Sequence, residues 1–175
     1  MSHELKQVDV RLKLTDKESV FSRETIDTPE KAVSVLAPVL AELDREEVCV
    51  VNLDGKGHPI NFSVVSIGSV NSSLITGREL YRSAILSNAA AIIMIHNHPS
   101  SDLHMSRLDL DVTEKMMYAG VLLDIDFYDH VLVAGSTGEM FSMREHVPEL
   151  FEPSRYPSLI SHVADSVKEE HSYQA

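Results

Sequence analysis

The chain has 175 residues, of which 43% are hydrophobic and 24% are charged, as is usual for soluble globular domains. No apolar run approaches the roughly 20 residues that a membrane-spanning helix needs, and the chain does not open like a signal peptide. The formal net charge of −12 argues against a general nucleic-acid-binding surface, because contacts to phosphates need a basic patch. The single cysteine, Cys49, excludes an internal disulfide and a cysteine-rich zinc module, and we expect a reducing, cytoplasmic location.

The first part of the chain predicts a helix and up to three strands. Residues 8–14 alternate between polar and apolar side chains, as in a short edge strand. Thr28 is a typical helix N-cap ahead of a proline and a glutamate, and apolar residues then recur at helical spacing. Strands joined by a turn are predicted at residues 47–53 and 59–70, with Gly68 as a bulge or bend.

The middle of the chain predicts a helix that runs into a buried strand. The helix fits residues 78–87, and the unbroken apolar run at residues 89–95 has the composition of a strand buried on both faces. A third helix fits residues 106–118, and we expect Gly120 to stop it. The remaining predictions are strands at residues 121–128, 131–134 and 139–143 and a possible short helix at residues 159–167.

These elements predict an α/β fold in which a mixed β-sheet is flanked by helices. A chain of this length is expected to form a single domain with one hydrophobic core. We expect that domain at residues 28–145, with a short N-terminal extension at residues 1–27 and a C-terminal tail at residues 146–175.

The most informative stretch begins where the buried strand ends. His96 and His98 follow the apolar run, and residues i and i+2 of a strand lie on the same face of a sheet. Ser106 and Asp109 come shortly afterwards, at the start of the third predicted helix. Two neutral imidazoles and one carboxylate form a zinc site with three protein ligands, and its fourth position is open for water. The stretch therefore predicts a catalytic metal site.

The same residues also have a structural interpretation. Ser106 and Asp109 have the spacing of a helix capping box, with aspartate where glutamate is more usual. The two histidines could likewise be polar residues that end a buried strand. The two interpretations are compatible, because a helix N-terminus that faces the site would also orient Asp109.

The run His96-Asn97-His98-Pro99-Ser100, followed by Asp102, Ser106 and Asp109, resembles the JAMM signature of JAB/MPN metalloproteases. It is most similar to the RadC-like branch of that family, which carries a His-Asn-His-Pro-Ser-Gly-Asp core. The resemblance covers residues 28–145, and it implies a JAB/MPN-like sheet with helices layered as in cytidine deaminases.

The resemblance implies a mechanism in which His96, His98 and Asp109 hold a zinc ion. A water molecule would take the fourth position, with its pKa lowered toward 7. A glutamate would take the proton from this water and pass it to the leaving amine, while Ser106 would donate a hydrogen bond to the oxyanion. The bond broken would be a peptide or isopeptide bond, in a protein or peptide substrate.

The glutamate that serves as the base lies outside this stretch. In the wider family it stands at the start of an early strand, and Glu47 matches that placement best. Glu46 is one residue away, and alternation along the strand would turn it to the opposite side. Glu79 is the alternative, because RadC-like proteins have a similar Arg-Glu there. It could instead serve the dipole of the second helix as a first-turn glutamate.

The supporting residues and the function leave further alternatives open. We expect Asp102 to brace the loop or to orient a ligand histidine, and Asp129 with His130, ahead of a predicted strand, to make structural or supporting hydrogen bonds. The resemblance also allows a DNA-repair-associated factor or a metal-dependent nuclease. A third possibility is a zinc-binding interaction module without catalysis, since many JAB/MPN relatives serve as interaction modules. No feature predicts a membrane partner.

Overall fold

The described part of the chain forms one five-stranded sheet with helices on both faces. The computed structural model describes residues 12–14, 25–40, 45–67, 75–100, 102–135, 137 and 139–156. The elements are α1 (Pro29–Leu40), β1 (Glu47–Leu53), β2 (Pro59–Ile67), α2 (Gly77–Ser87), β3 (Ala91–His98), α3 (Arg107–Leu123), β4 (Asp126–Ala134), β5 (Met140–Ser142) and α4 (Met143–His146), followed by two 3₁₀ turns (Pro148–Phe151 and Pro153–Arg155). Within these residues, no helix is both long and apolar enough to cross a membrane.

The strands are arranged in the order β2-β1-β3-β4-β5, which makes β3 the central strand. β1 is antiparallel to both of its neighbours, β2 and β3, and β5 is antiparallel to β4. β3 and β4 are parallel, and α3 provides the crossover that a parallel connection needs. The predicted mixed sheet is therefore confirmed.

Alternating residues of β1 and β3 face two separate layers of helix. On one face α2, α3 and the residues that follow β5 pack against Val48, Val50, Ile92 and Met94. On the other face α1 packs against Cys49, Val51, Ile93 and Ile95. The domain thus has three layers, α/β/α, and the even-numbered residues of β3 face α3.

The core includes residues on both sides of the expected domain at residues 28–145. Ile26 is 2% exposed, and its backbone N–H donates to Gly57 O at 2.8 Å. At the other end, the Phe151 ring is stacked on Phe127 with centroids 6.2 Å apart. Tyr156 is also buried and donates its hydroxyl proton to Leu150 O.

Several predicted elements are confirmed with small shifts, and some cannot be compared. β1 has the predicted bounds, and α2 begins one residue earlier than predicted. Residues 12–14, the described part of the first predicted strand, are not in a strand. Gly68 and the possible helix at residues 159–167 lie outside the described residues.

The predicted end of α3 and the predicted strand at residues 121–128 are wrong. α3 continues through Gly120 to Leu123, and β4 runs without a break from Asp126 to Ala134. A methyl group at Gly120 would lie 2.7 Å from both Ile125 O and Tyr81 Oη. The glycine therefore allows close packing against α2. Asp124 caps the end of the helix in a left-handed conformation with φ 53°.

The close packing at Gly120 predicts that Gly120→Ala destabilises the protein. Tyr81 cannot easily move away, because it is buried and its hydroxyl donates to Met116 O at 2.9 Å. We expect the free energy of unfolding to fall by about 1–3 kcal/mol in urea denaturation. Gly55→Ala is the matched control, since a methyl group there meets nothing closer than 4.0 Å. Equal stability of the two variants would contradict this account.

Candidate metal centre

The end of β3 brings His96 and His98 together on the face that packs against α3. Their ring centroids are 4.5 Å apart, and the ring planes are inclined by 72°. His96 is 3% exposed, whereas His98 is half-buried. The two rings thus continue the row of Ile92 and Met94 out of the core, as the spacing of the two histidines predicts.

The first turn of α3 holds Asp109 with one carboxylate oxygen occupied and the other facing His96. Ser106 donates to Asp109 Oδ2 through its backbone N–H at 2.8 Å and through its hydroxyl at 2.5 Å. The Asp109 N–H in turn donates to Ser106 Oγ at 3.2 Å, so the predicted capping box is present. Oδ1 lies 3.6 Å from His96 Nδ1. Ser106 therefore directs Oδ1 toward the histidine.

Asp109 is a buried, ionised carboxylate. Burial alone would raise the pKa of Asp109, but its contacts with His96 and Ser106 hold that pKa well below the usual range. The side chain is 5% exposed and carries a full negative charge at neutral pH. A buried charge of this kind calls for a compensating positive partner.

A third imidazole, that of His130, approaches the same region from β4. The Thr113 hydroxyl has one proton, and it donates that proton to Asp109 O at 2.7 Å. The contact of 2.8 Å between Thr113 Oγ1 and His130 Nδ1 must then be a hydrogen bond donated by the histidine. Burial, together with the nearby His96, lowers the pKa of His130 to about 3. The ring is therefore neutral, and its Nε2 carries a lone pair.

His96, Asp109 and His130 form a buried group of side chains that could hold a metal ion. One ligand atom from each residue lies within 4.8 Å of those of the other two, and no other such group occurs in the described part of the chain. Both ring nitrogens of His96 and the Nε2 atom of His130 are buried without a hydrogen-bond partner. Buried polar atoms normally have partners, so these residues fit a cation such as zinc.

His98 lies beside this group and is oriented by the loop that follows β3. Its Nδ1 atom is 2.5 Å from Asp102 O, and a carbonyl can only accept, so Nδ1 carries the proton and Nε2 is free. The Asp102 carboxylate accepts the His104 N–H at 2.9 Å and contacts its ring at 2.6 Å. The hydrogen bonds from His104 lower the pKa of Asp102. Asp102 thus has contacts suited to both expected roles.

Glu47 begins β1 at the level of the two histidines. Its backbone N–H donates to Asn97 Oδ1 at 2.6 Å, and Asn97 Nδ2 donates to Arg45 O at 3.0 Å. Glu47 is 9% exposed, which is unusual for a glutamate. The segment ahead of β1 is therefore tied to the end of β3 by a side chain.

The strand pairing bears on which glutamate faces the site. Val48 is paired with His96, so these two residues lie on the same face of the sheet. By alternation along the strand, Glu46 belongs to the same side of the sheet as His96. Glu47 belongs to the same side as Asn97. The pairing therefore places Glu46, rather than Glu47, on the side of the sheet that carries His96, the reverse of the expected alternation.

Glu79 has contacts that belong to helix α2. Its carboxylate accepts the Thr76 N–H at 3.3 Å and the Thr76 hydroxyl at 2.9 Å, and these hydrogen bonds lower its pKa. A methyl group at Gly77 would lie 3.1 Å from Ala119 Cβ, so α2 begins beside the second half of α3. Ala119 is ten residues beyond Asp109, or about 15 Å along the helix axis. These contacts match the interpretation of Glu79 as a first-turn glutamate.

His130 is not among the metal ligands predicted from the sequence. Asp129 and His130 lie inside β4 and not ahead of a strand, which corrects the expectation. Asp129 accepts hydrogen bonds from the Ser142 hydroxyl and the Arg144 N–H, as a structural residue does. His130 is paired with Met94, so it lies on the face of the candidate centre. The sequence signal that could have identified His130 is the polar pair Asp129-His130 within a largely apolar segment.

The fold and the site define an α/β/α domain with a buried histidine–aspartate centre at the end of its central strand. The family model described as "RadC-like JAB domain" matches residues 26–148, and the chain belongs to this family. The expected resemblance is thereby confirmed.

Curated relatives share the domain but are longer. A UPF0758 protein of Methanosarcina mazei is 40% identical over 108 residues, which is 62% of this chain and 47% of the relative. A UPF0758 protein of Rubrobacter xylanophilus is 36% identical over 158 residues, covering 82% and 68% of the two chains. The chain spans about half the length of the first curated relatives that it matches.

The low pKa of His130 predicts that acid destabilises the metal-free protein. The folded-state pKa of about 3 lies below the ordinary value of 6.5, so the unfolded chain binds one proton more between these pH values. This difference should lower the free energy of unfolding by about 1.4 kcal/mol per pH unit on acidification within that range. Urea denaturation in the presence of a chelator would measure it. In His130→Gln this contribution should be absent, and equal pH slopes in both proteins would contradict a buried neutral His130.

Proposed function

We propose that the chain is a zinc-dependent hydrolase that cleaves a peptide or isopeptide bond. The observation that carries this proposal is the convergence of potential metal ligands at His96, Asp109 and His130, whose buried imidazole nitrogens include three without a hydrogen-bond partner. His98, with its Nε2 atom free, completes the proposed ligand set of His96, His98 and Asp109. The resemblance to JAMM metalloproteases supports amide hydrolysis as the reaction.

The proposed chemistry assigns one role to each surrounding residue. A bound zinc ion would supply a Lewis acid and would lower the pKa of water toward 7. A glutamate at the start of β1 would take the proton of the attacking water and deliver it to the leaving amine. Glu47 has the expected place in the family pattern, and Glu46 belongs to the same side of the sheet as His96. Ser106, which is exposed at the start of α3, would donate a hydrogen bond to the oxyanion. Its hydroxyl proton would have to turn away from Asp109 Oδ2, to which it is donated here.

The proposed partner is a protein or peptide in the cytoplasm. The net charge of −12 gives no support to a nucleic-acid substrate, since phosphate contacts require clustered Lys and Arg side chains. A DNA-repair-associated role or nuclease activity would therefore need a local basic surface. The described residues give no observation that favours it.

Zinc content and amide hydrolysis, measured together, test the proposal. The probes are a mixture of internally quenched peptides and a branched peptide joined through a lysine Nε isopeptide bond. We expect one zinc per chain and cleavage of at least one probe by the native protein. Asp109→Ala should lose both properties, because the buried carboxylate is a proposed ligand. Hydrolysis that persists in a zinc-free Asp109→Ala protein would overturn the proposal.

The same assay identifies the base among three glutamates. Glu47→Gln should keep its zinc and lose at least about 100-fold in kcat, because a general base contributes about that much or more. Glu46→Gln tests the neighbour that belongs to the same side of the sheet as His96. Glu79→Gln is the matched control with the same change of charge and should keep most of its activity. Loss of activity in Glu46→Gln or Glu79→Gln, with full activity in Glu47→Gln, would move the role to that residue.

Ser106→Ala separates positioning of Asp109 from oxyanion stabilisation. Loss of the cap should lower the free energy of unfolding by about 0.5–2 kcal/mol and weaken zinc binding about tenfold. With zinc at saturation, kcat should still fall about 100-fold, because an oxyanion donor is missing. Ser106→Thr, which keeps the hydroxyl, should restore all three quantities. Full kcat in zinc-saturated Ser106→Ala would leave only the positioning role.

A second candidate function is a zinc-binding interaction module without catalysis. The observation in its favour is the burial of His96, Asp109 and His130, which are each exposed by 4% or less. Buried sites whose ligands are all protein side chains are typical of structural zinc. Stoichiometric zinc without cleavage of any probe, together with unfolding on chelation, would support this function over hydrolysis.

A further inference from the structure

We propose that His130 is a further ligand of the metal and binds it through Nε2. The proposed set of His96, His98 and Asp109 leaves this residue without a role. The inference rests on the metal binding that the proposed function requires, and it is independent of whether the protein hydrolyses amides.

The first argument comes from the hydrogen bond that fixes the His130 ring. The Thr113 hydroxyl donates its only proton in a hydrogen bond to Asp109 O. Its oxygen must therefore accept a hydrogen bond from the Nδ1–H group of His130. Ligand histidines commonly donate their second ring N–H to an oxygen atom, which fixes the tautomer and leaves the other nitrogen for the metal. His98 has the same arrangement, with Asp102 O as the acceptor. In both His98 and His130, Nδ1 therefore carries the proton and Nε2 is left for the metal.

The second argument comes from what surrounds Nε2. This atom is buried and has no hydrogen-bond partner, whereas a histidine that serves only the core would normally have both nitrogens satisfied. The ring lies nearly parallel to that of His96, at an angle of 16° and a centroid distance of 6.2 Å. The other close polar group is the Asp109 carboxylate, which is itself an acceptor. A cation satisfies all three residues at once.

The third argument is that the main chain holds each residue in place. His96 is in β3, His130 is in the adjacent parallel strand β4, and Asp109 and Thr113 lie one turn apart on α3. The helix therefore supplies one ligand and orients another. Zinc can expand to five ligands, so binding by His130 is compatible with water at the same ion.

Histidine nitrogen spectra of the full chain test this inference without an activity assay. The protein is labelled with ¹⁵N, freed of metal with a chelator, and titrated with zinc chloride while long-range ¹H–¹⁵N correlations are recorded. His130→Gln assigns the His130 signals by their disappearance. Before zinc we expect the His130 ring to be neutral and protonated at Nδ1. At one equivalent of zinc its Nε2 signal should move from the free to the metal-bound position, and that of the exposed His58 should not move.

The outcomes distinguish this inference from the proposed function. If His96 and His98 respond to zinc while His130 stays unchanged, the inference is overturned and the proposed ligand set stands. If no histidine responds, both the inference and the metal binding on which it rests are overturned. Movement of the His130 signal supports the inference, whether or not any peptide is cleaved.

Thr113→Val provides a second measurement with a nearly isosteric change. It removes the oxygen that accepts from His130 Nδ1, so the ring should lose its single tautomer in the metal-free spectra. Zinc affinity should fall about tenfold, because a partner that orients a ligand is lost. Thr113→Ser keeps the oxygen and should retain both the tautomer and the affinity. An unchanged affinity and tautomer in Thr113→Val would count against His130 as a ligand.

Discussion

The candidate centre depends on the alternation of side chains along β3. Ile92 and Met94 are packed into the core beneath α2 and α3, so His96 and His98 must leave the core on that same face. A slip of one residue in this strand would turn both imidazoles toward α1 and would expose or misplace the apolar residues. The hydrophobic half of β3 therefore fixes the register in which the polar half can bind a metal.

Helix α3 connects a local folding signal with the chemistry of the site. Ser106 begins the helix, Asp109 completes its first turn, and Thr113 follows one turn later. The same three residues cap the helix, present a carboxylate, and fix the tautomer of His130. A substitution at the helix start is therefore expected to change the stability of α3 and the affinity for the metal together.

Features with local causes could be predicted from the sequence. β1, α2 and β3 follow from hydrophobic pattern, and the cap at Ser106 follows from the spacing of two residues. The extent of α3 could not be predicted, because Gly120 is needed for contact with Tyr81, a residue distant in sequence. The position of His130 in the candidate centre could not be predicted for a similar reason. Parallel pairing of β4 with β3 has no local signature, so nothing near His130 in the sequence indicates which residues it faces.

Asn97 stands between the two histidines, and its amide holds the main chain of Arg45 and Glu47. The start of β1, beside the centre, is thus held to β3 by these hydrogen bonds. The loop that follows β3 is exposed at Asp102, whose carbonyl accepts the hydrogen bond from His98. Exposed loops open at lower free energy than paired strands. The main chain beside His96 is therefore held by strand pairing and by Asn97, whereas His98 is held by a loop carbonyl, so we expect the His98 ring to move at lower free energy than the His96 ring.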